Sequence, residues 1–118
     1  MKENILKKKS FDFALRIVRL CKYLQEEKKE FIMSKQLMRA GTSIGAMVHE
    51  AEFAESKNDF VHKMAIAQKE NNETIYWLEL LYASEYLTVE EFENTNTDAV
   101  EIIKLITSSI KTAKNINH

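Results

Sequence analysis

Turn-forming residues are almost missing from this sequence: its 118 residues include no proline and only two glycines, Gly41 and Gly45. Sheet proteins need many tight turns, and those turns depend on glycine and proline. Hydrophobic residues make up 45% of the chain and charged residues 30%, proportions that are ordinary for a folded domain and argue against disorder. The sequence therefore predicts one all-α domain built from long helices.

Hydrophobic residues recur at helical spacing in four segments of the chain. The predicted helices run over residues 11–25, 34–54, 57–86 and 89–114. The connections after the second and third helices span only a few residues, and short connections make neighbouring helices antiparallel. We therefore predict a single domain over residues 1–118, with the fold of an antiparallel up-down four-helix bundle.

Capping residues support three of these helix starts. Ser10 is the predicted N-cap of the first helix, because a serine hydroxyl accepts a hydrogen bond from a backbone N–H of the first turn. Ser56 followed by Asp59, and Thr88 followed by Glu91, have the spacing of a capping box. These two pairs predict the first turns of the third and fourth helices.

The first predicted helix has more apolar surface than one core can use. Its apolar positions cover roughly 220° of the helix surface, whereas a bundle helix needs an apolar arc of about 100°. The surplus predicts a further contact outside the core of the bundle. The remaining polar stripe is narrow and mostly basic, and it contains Asp12, Arg16, Arg19 and Lys22.

The second predicted helix carries Gly41 and Gly45 in its interior, where each glycine costs about 1 kcal/mol relative to alanine. Together with Ala40, Ser43 and Ala46 they predict a small-residue surface that another helix backbone approaches closely. A glycine-rich phosphate-binding loop is the alternative interpretation. Because no strand precedes these glycines and no Gly-Lys-Ser/Thr signature follows them, close helix packing is preferred.

Polar residues are expected where the second and third helices face each other. If these helices form a hairpin that turns near Ser56, the numbers of facing residues add to about 112. This rule places Arg39 opposite Glu73, as a partly buried ion pair, and Glu50 opposite His62. Buried polar pairs can fix the register of two helices. The predicted structural polar network consists of Arg39, Ser43, Glu50, Glu70 and Glu73, with a ligand pocket as the alternative.

The two parts of the chain differ strongly in charge. Residues 1–39 contain eleven Lys or Arg and five Asp or Glu, a net charge of +6, whereas residues 40–118 contain six and thirteen, a net charge of −7. Such a split marks a basic binding face, two helices that attract each other, or subunits that meet head to tail. For a basic binding face, the candidate nucleic-acid contacts are Lys7, Lys8, Lys9, Arg16, Arg19 and Lys22.

No complete catalytic or metal-binding motif is present in the sequence. Carboxylate-bridged metal sites in four-helix bundles use two Glu-x-x-His motifs. The nearest match is Asp59-x-x-His62, which His49 and Glu50 could join across the hairpin, while His118 is terminal. We therefore predict no enzyme activity, no cofactor and no metal, and a carboxylate–histidine metal site is the least favoured alternative.

Cys21 is the only cysteine, which excludes an intramolecular disulfide and a multi-cysteine zinc motif. It lies in an apolar stretch, where we expect a small buried side chain. The N-terminus lacks the apolar run of a signal peptide, and no segment approaches the ~18 consecutive apolar residues of a membrane span. We expect a soluble cytoplasmic protein with no membrane partner.

Two segments, LMRAGTSIGAMVHEA at residues 37–51 and KMAIAQKENNETIYWL at residues 63–78, resemble a known family. This is the four helix bundle protein family, whose members are encoded within intervening sequences of large-subunit ribosomal RNA genes. The resemblance extends over residues 10–87, and the family's recurrent polar residues map onto Arg39, Ser43, Glu50, Glu70 and Glu73. The chain departs from the family pattern at Gly45, where the family often has Pro, and at Ala51, where it often has Gly.

The resemblance implies a homopentamer of antiparallel bundles, which would account for the surplus apolar surface of the first helix. A related branch is the accessory protein of diversity-generating retroelements, in which a basic pentameric barrel binds nucleic acid and a reverse transcriptase. We therefore expect a non-enzymatic, homo-oligomeric binding or scaffold protein that contacts RNA or a ribonucleoprotein through the basic face of its first helix. The alternative is an oligomer that binds proteins and no nucleic acid.

Overall fold

The computed structural model describes residues 2–115, with side chains described from Ile5 onward, and within this range the chain forms four α-helices and no strand. The helices are α1 (Lys2–Glu26), α2 (Met33–Glu52), α3 (Lys57–Ala83) and α4 (Val89–Asn115). The bundle measures 51 × 22 × 20 Å, and no helix in residues 2–115 is long and apolar enough to cross a membrane. The prediction of an all-α chain with four helices is confirmed.

Helix α1 begins nine residues before the predicted start, so the predicted N-cap at Ser10 is wrong. Ser10 lies inside α1, is almost completely buried, and donates from its hydroxyl to the Lys7 carbonyl oxygen at 3.2 Å. Leu6, one turn earlier, is also buried in the core. Burial of a leucine contributes about 1.5–3 kcal/mol, which exceeds the ~1 kcal/mol of a typical N-cap, so the helix extends to include it.

The four helices surround one hydrophobic core. Helix α2 packs against α1 and α3, and α4 packs against α3 and α1, so α1 and α3 occupy diagonal positions in the bundle, with no Cα pair within 8 Å of each other in residues 2–115. The outer surfaces of α1 and α3 therefore lie on different sides of the bundle. The largest fully buried apolar side chains are Leu6, Ile17, Leu24, Leu37, Ile44, Met64, Leu78, Leu81, Ile102 and Ile106.

Helix α1 covers the small-residue surface of α2. A Cβ atom added at Gly41 would lie 2.8 Å from Cγ1 of Ile17, and one added at Gly45 would lie 3.1 Å from the backbone oxygen of Ser10. Real Cβ atoms essentially never approach another heavy atom as closely as the first of these distances. Gly41 therefore lets α2 approach α1 more closely than any other residue would allow, whereas a Cβ at Gly45 would require the neighbouring backbone to move by a few tenths of an ångström.

The predicted capping box at Thr88 is complete, whereas the one at Ser56 is partial, because the Asp59 carboxylate accepts from the backbone N–H of Glu55 and not from that of Ser56. The Ser56 hydroxyl accepts a hydrogen bond from the Asp59 backbone N–H at 3.0 Å. Thr88 and Glu91 cap each other, because the Glu91 N–H donates to Thr88 Oγ1 at 3.1 Å and the Thr88 N–H donates to Glu91 Oε1 at 2.8 Å. These bonds satisfy backbone donors that have no partner within the helix.

Helix α3 ends at Ala83, three residues before the predicted end. Glu85 has a φ of 70°, in the left-handed region that glycine usually occupies. Its neighbour Tyr86 donates from its backbone N–H to the Leu81 carbonyl oxygen at 2.9 Å, which is the bond of a Schellman motif. The chain therefore leaves the helix at Glu85, although no glycine marks this position in the sequence.

Glu30 closes the turn between α1 and α2. Its carboxylate accepts hydrogen bonds from the backbone N–H groups of Ile32, Met33 and Ser34, at 3.2, 3.0 and 2.8 Å. Glu30 is only 6% exposed. Burial alone would raise the pKa of Glu30, but these three donors outweigh it, and the pKa lies below its usual value.

Candidate functional site

The six basic residues expected to contact nucleic acid all lie on α1, but they do not form one surface. Two of them pair with carboxylates near the start of the helix. The Lys7 ammonium lies 2.8 Å from Glu52 Oε2 on α2, and the Lys8 ammonium lies 2.7 Å from Asp12 Oδ2, one turn along α1. The hydrogen bond from Lys7 lowers the pKa of Glu52.

Two further cations face α4. The Lys9 ammonium contacts the Glu101 carboxylate, and Arg16 Nη1 lies 2.8 Å from Asp98 Oδ2. The hydrogen bond and the charge of Glu101 raise the pKa of Lys9. These four groups line a polar cleft of about 300 Å³ between α1 and α4. A phosphate would have to displace a carboxylate of the same chain before it could bind Lys9 or Arg16.

Arg19 and Lys22 are the two remaining cations of the predicted set. Both are exposed, and neither makes an ion pair with any other side chain in residues 5–115. Along α1 they follow Phe11 and Leu15 at helical spacing, so the four side chains share the outer side of the helix. Phe11 is 64% exposed and Leu15 39%, so the two side chains together leave an apolar strip on this side of the helix.

The α2–α3 contact contains a three-residue ion cluster. Arg39 Nη1 lies 3.2 Å from Glu70 Oε1, and Arg39 Nη2 contacts the Glu73 carboxylate, which also accepts a hydrogen bond from Trp77 Nε1 at 3.2 Å. The hydrogen bonds from Arg39 and Trp77 lower the pKa of Glu73, and those to Glu73 and Glu70 raise the pKa of Arg39. The Arg39 side chain is nevertheless 48% exposed. Water therefore screens this cluster on its outer side.

The other two residues of the predicted polar network lie apart from this cluster. Glu50 Oε1 accepts from the Lys63 ammonium at 2.9 Å, so its partner is Lys63 and not the predicted His62. The Ser43 hydroxyl donates to the Arg39 carbonyl oxygen at 2.6 Å, within α2. This bond to the preceding turn is common for serine inside a helix.

Cys21 and the histidines are the other side chains that could act as nucleophiles or metal ligands. Burial, together with the nearby Glu30 charge, raises the pKa of Cys21 to about 12, and its thiol donates to the Ser34 carbonyl oxygen at 3.3 Å. His49 packs edge-on against Phe53, with ring centroids 5.5 Å apart. Among the side chains of residues 5–115, no three His, Cys, Asp or Glu groups are placed to hold one metal ion. His118 lies outside the described residues.

An acidic stretch extends from α3 into α4, and it was not singled out from the sequence. Residues 70–103 contain nine Asp or Glu and no Lys or Arg. Four of these carboxylates pair with Arg39, Lys9 or Arg16, and Glu91 caps α4. The remaining four, which make neither an ion pair nor a helix cap within the described range, are Glu79, Glu85, Glu90 and Glu93. The absence of Lys and Arg from residues 70–103 is the sequence feature that could have indicated this acidic stretch.

A family model for the 23S rRNA-intervening sequence protein matches residues 2–108 of the chain. Among solved structures, the chain is similar to a protein with unknown function from the S23 ribosomal protein family of Bacteroides thetaiotaomicron. The two sequences are 58% identical, the TM-score is 0.93, and the match covers 94% of this chain and 99% of the other. No curated protein matches the chain.

Proposed function

Because the chain belongs to the family of 23S rRNA-intervening sequence proteins, we propose that it is a non-enzymatic scaffold that works as a homo-oligomer of antiparallel, up-down bundles. The homopentamer is the assembly we propose. The observation that carries the proposal is the exposure of large apolar side chains along the outer side of α1, where Phe11 and Leu15 face solvent in the single chain. Monomeric proteins rarely leave such surfaces uncovered.

Contacts between neighbouring helices support the antiparallel arrangement. Lys7 of α1 pairs with Glu52 of α2, and Gly45 of α2 lies against Ser10 of α1, so higher numbers on one helix meet lower numbers on the other. The α2–α3 pairs show the same trend. Short connections between successive helices favour this topology.

A native mass spectrum of the purified protein, recorded without nuclease treatment, tests the assembly. The expected species has five times the chain mass of 13.8 kDa, about 69 kDa. A monomer at 13.8 kDa over the whole concentration range would refute the homo-oligomer. A different multiple of the chain mass would refute the pentamer and retain the oligomer.

RNA or a ribonucleoprotein is the second candidate partner. Five exposed cations between residues 19 and 35 make no ion pair with the side chains of residues 5–115, and a phosphate backbone binds through such groups. They are Arg19, Lys22, Lys28, Lys29 and Lys35.

The cytoplasmic location and the absence of a cofactor stay predictions.

Binding of a labelled single-stranded RNA, measured by fluorescence anisotropy, tests this second candidate. We expect affinity to fall steeply between about 50 and 200 mM salt, and Lys28→Glu with Lys35→Glu to reduce it further. Lys104→Glu with Lys111→Glu is the matched control, because these exposed lysines of α4 also lack an ion pair. Equal binding by both double variants, or binding that ignores salt, would exclude this site.

A further inference from the structure

We infer that the bundle binds a second copy of itself head to tail, with the outer side of α1 of one copy against the outer side of α3 of the next. This inference rests on the proposed homo-oligomer and adds the two surfaces that form its contact. The basic surface consists of Phe11, Leu15, Arg19 and Lys22 on α1. The acidic surface consists of Tyr76, Glu79 and Leu80 on α3 and Glu85 just after it.

The two surfaces have the same construction with opposite charge. On α1, the exposed apolar residues Phe11 and Leu15 are followed by two cations that have no partner among residues 5–115. On α3, Tyr76 and Leu80 are exposed at helical spacing around Glu79, which also makes no ion pair there. Docking of one surface on the other would cover the apolar side chains and give each unpaired charge an opposite partner.

The charges of the two surfaces determine whether like or unlike surfaces of two copies come into contact. Two α1 surfaces in contact would place Arg19 and Lys22 of both copies in one interface, and two α3 surfaces would do the same with Glu79 and Glu85. Like charges that face each other across an interface cost several kcal/mol, so both symmetric contacts are disfavoured. Only the contact of unlike surfaces matches charge to charge. The total charge of −1 shows that the chain carries both signs in nearly equal measure, so a second copy suffices as the partner.

The placement of α1 and α3 makes this contact heterologous. Because α1 and α3 occupy diagonal positions in the bundle, each copy presents both surfaces on different sides at the same time. A copy bound through α1 still offers its α3 surface to the next copy. Such contacts continue until they close into a ring, or they propagate as a filament.

Charge reversal and its reciprocal rescue test the inference by native mass spectrometry. The basic-surface variant carries Arg19→Glu and Lys22→Glu, and the acidic-surface variant carries Glu79→Lys and Glu85→Lys. We expect each double variant to give the 13.8 kDa monomer at micromolar concentration. The quadruple variant, with all four substitutions in one chain, has complementary surfaces again and is expected to regain the wild-type mass.

Controls separate this inference from the proposed function and from misfolding. Lys104→Glu with Lys111→Glu should keep the wild-type mass, and far-ultraviolet circular dichroism should show equal helix content in every variant. A wild-type oligomer that survives both double variants would overturn the α1–α3 contact and leave the homo-oligomer standing. A quadruple variant that stays monomeric would also overturn it. A wild-type protein that is monomeric would refute self-association. RNA bound to the basic surface of α1 in place of a second copy would also refute the α1–α3 contact.

Discussion

Glu30→Gln tests how the carboxylate between α1 and α2 stabilises the fold. The substitution keeps the shape of the side chain and removes the charge that accepts three backbone N–H donors. Hydrogen bonds to charged groups contribute about 1.5–3 kcal/mol each when buried, but the amide retains one acceptor oxygen, and N-cap losses are ~1 kcal/mol. We therefore expect the free energy of unfolding to fall by about 1–2 kcal/mol at pH 7.

The pH dependence of this difference identifies its cause. The pKa of Glu30 in the folded protein lies below the ~4.3 of a free glutamate, so the contribution of the charge to stability is present above that value. It is lost as the pH falls through the folded pKa, because the folded state must then take up the proton that the unfolded state already holds. The gap between wild type and Glu30→Gln should therefore be constant from pH 7 to about 5 and narrow below about 4.

Urea unfolding followed by circular dichroism, at one fixed protein concentration, measures both effects. Fixed concentration matters because assembly would stabilise the folded chain by mass action. Glu27→Gln is the matched control, since Glu27 is exposed and its loss should change stability by less than about 0.5 kcal/mol. Equal stability of wild type and Glu30→Gln at pH 7, or a gap that does not narrow in acid, would refute the capping role.

Three further substitutions probe the packing of the helices, each measured by urea unfolding. Gly41→Ala should lower the free energy of unfolding by about 1–2 kcal/mol, because the added Cβ would collide with Ile17. This collision outweighs the ~1 kcal/mol gain in helix propensity. A net gain in stability would contradict the close contact. Arg39→Ala should lower the free energy of unfolding by less than about 1 kcal/mol, and by still less at high salt, because the ion pair with Glu73 is half exposed. A loss of several kcal/mol would show that the pair is desolvated. In the background of Arg19→Glu with Lys22→Glu, where no second copy pairs with Glu85, Glu85→Gly should stabilise by about 1 kcal/mol, because glycine adopts the left-handed conformation without strain. A loss of stability there would mean that the Glu85 side chain has a partner within its own chain.

Features that depend on neighbours in the chain were predictable from the sequence. Thr88 and Glu91 are three residues apart, so their mutual cap follows from local spacing alone. The α2–α3 register could be estimated to within one residue because the turn between these helices is short. The sum rule therefore found the neighbourhood of Arg39 and Glu73, and missed only the exact partner of Glu50.

Features that depend on contacts between residues distant in the sequence were not predictable in this way. The early start of α1 follows from the burial of Leu6, which a window of sequence cannot show. The ion pairs of Lys9 and Arg16 join α1 to α4 across more than 80 residues. Without the α1–α4 register, these lysine and arginine side chains looked free to bind phosphate. The basic face of α1 is therefore smaller than its composition indicates.

Because Cys21 is buried, the rate at which the only thiol of this chain is labelled can report local unfolding. Its side chain has no exposed surface in the folded bundle, and a thiol with a pKa of about 12 contains almost no reactive thiolate at neutral pH. A disulfide reagent can therefore modify the protein only when α1 separates from α2. The rate of labelling then reports how often this opening occurs. Comparison of that rate in dilute and concentrated protein would show whether subunit contacts hold α1 in place.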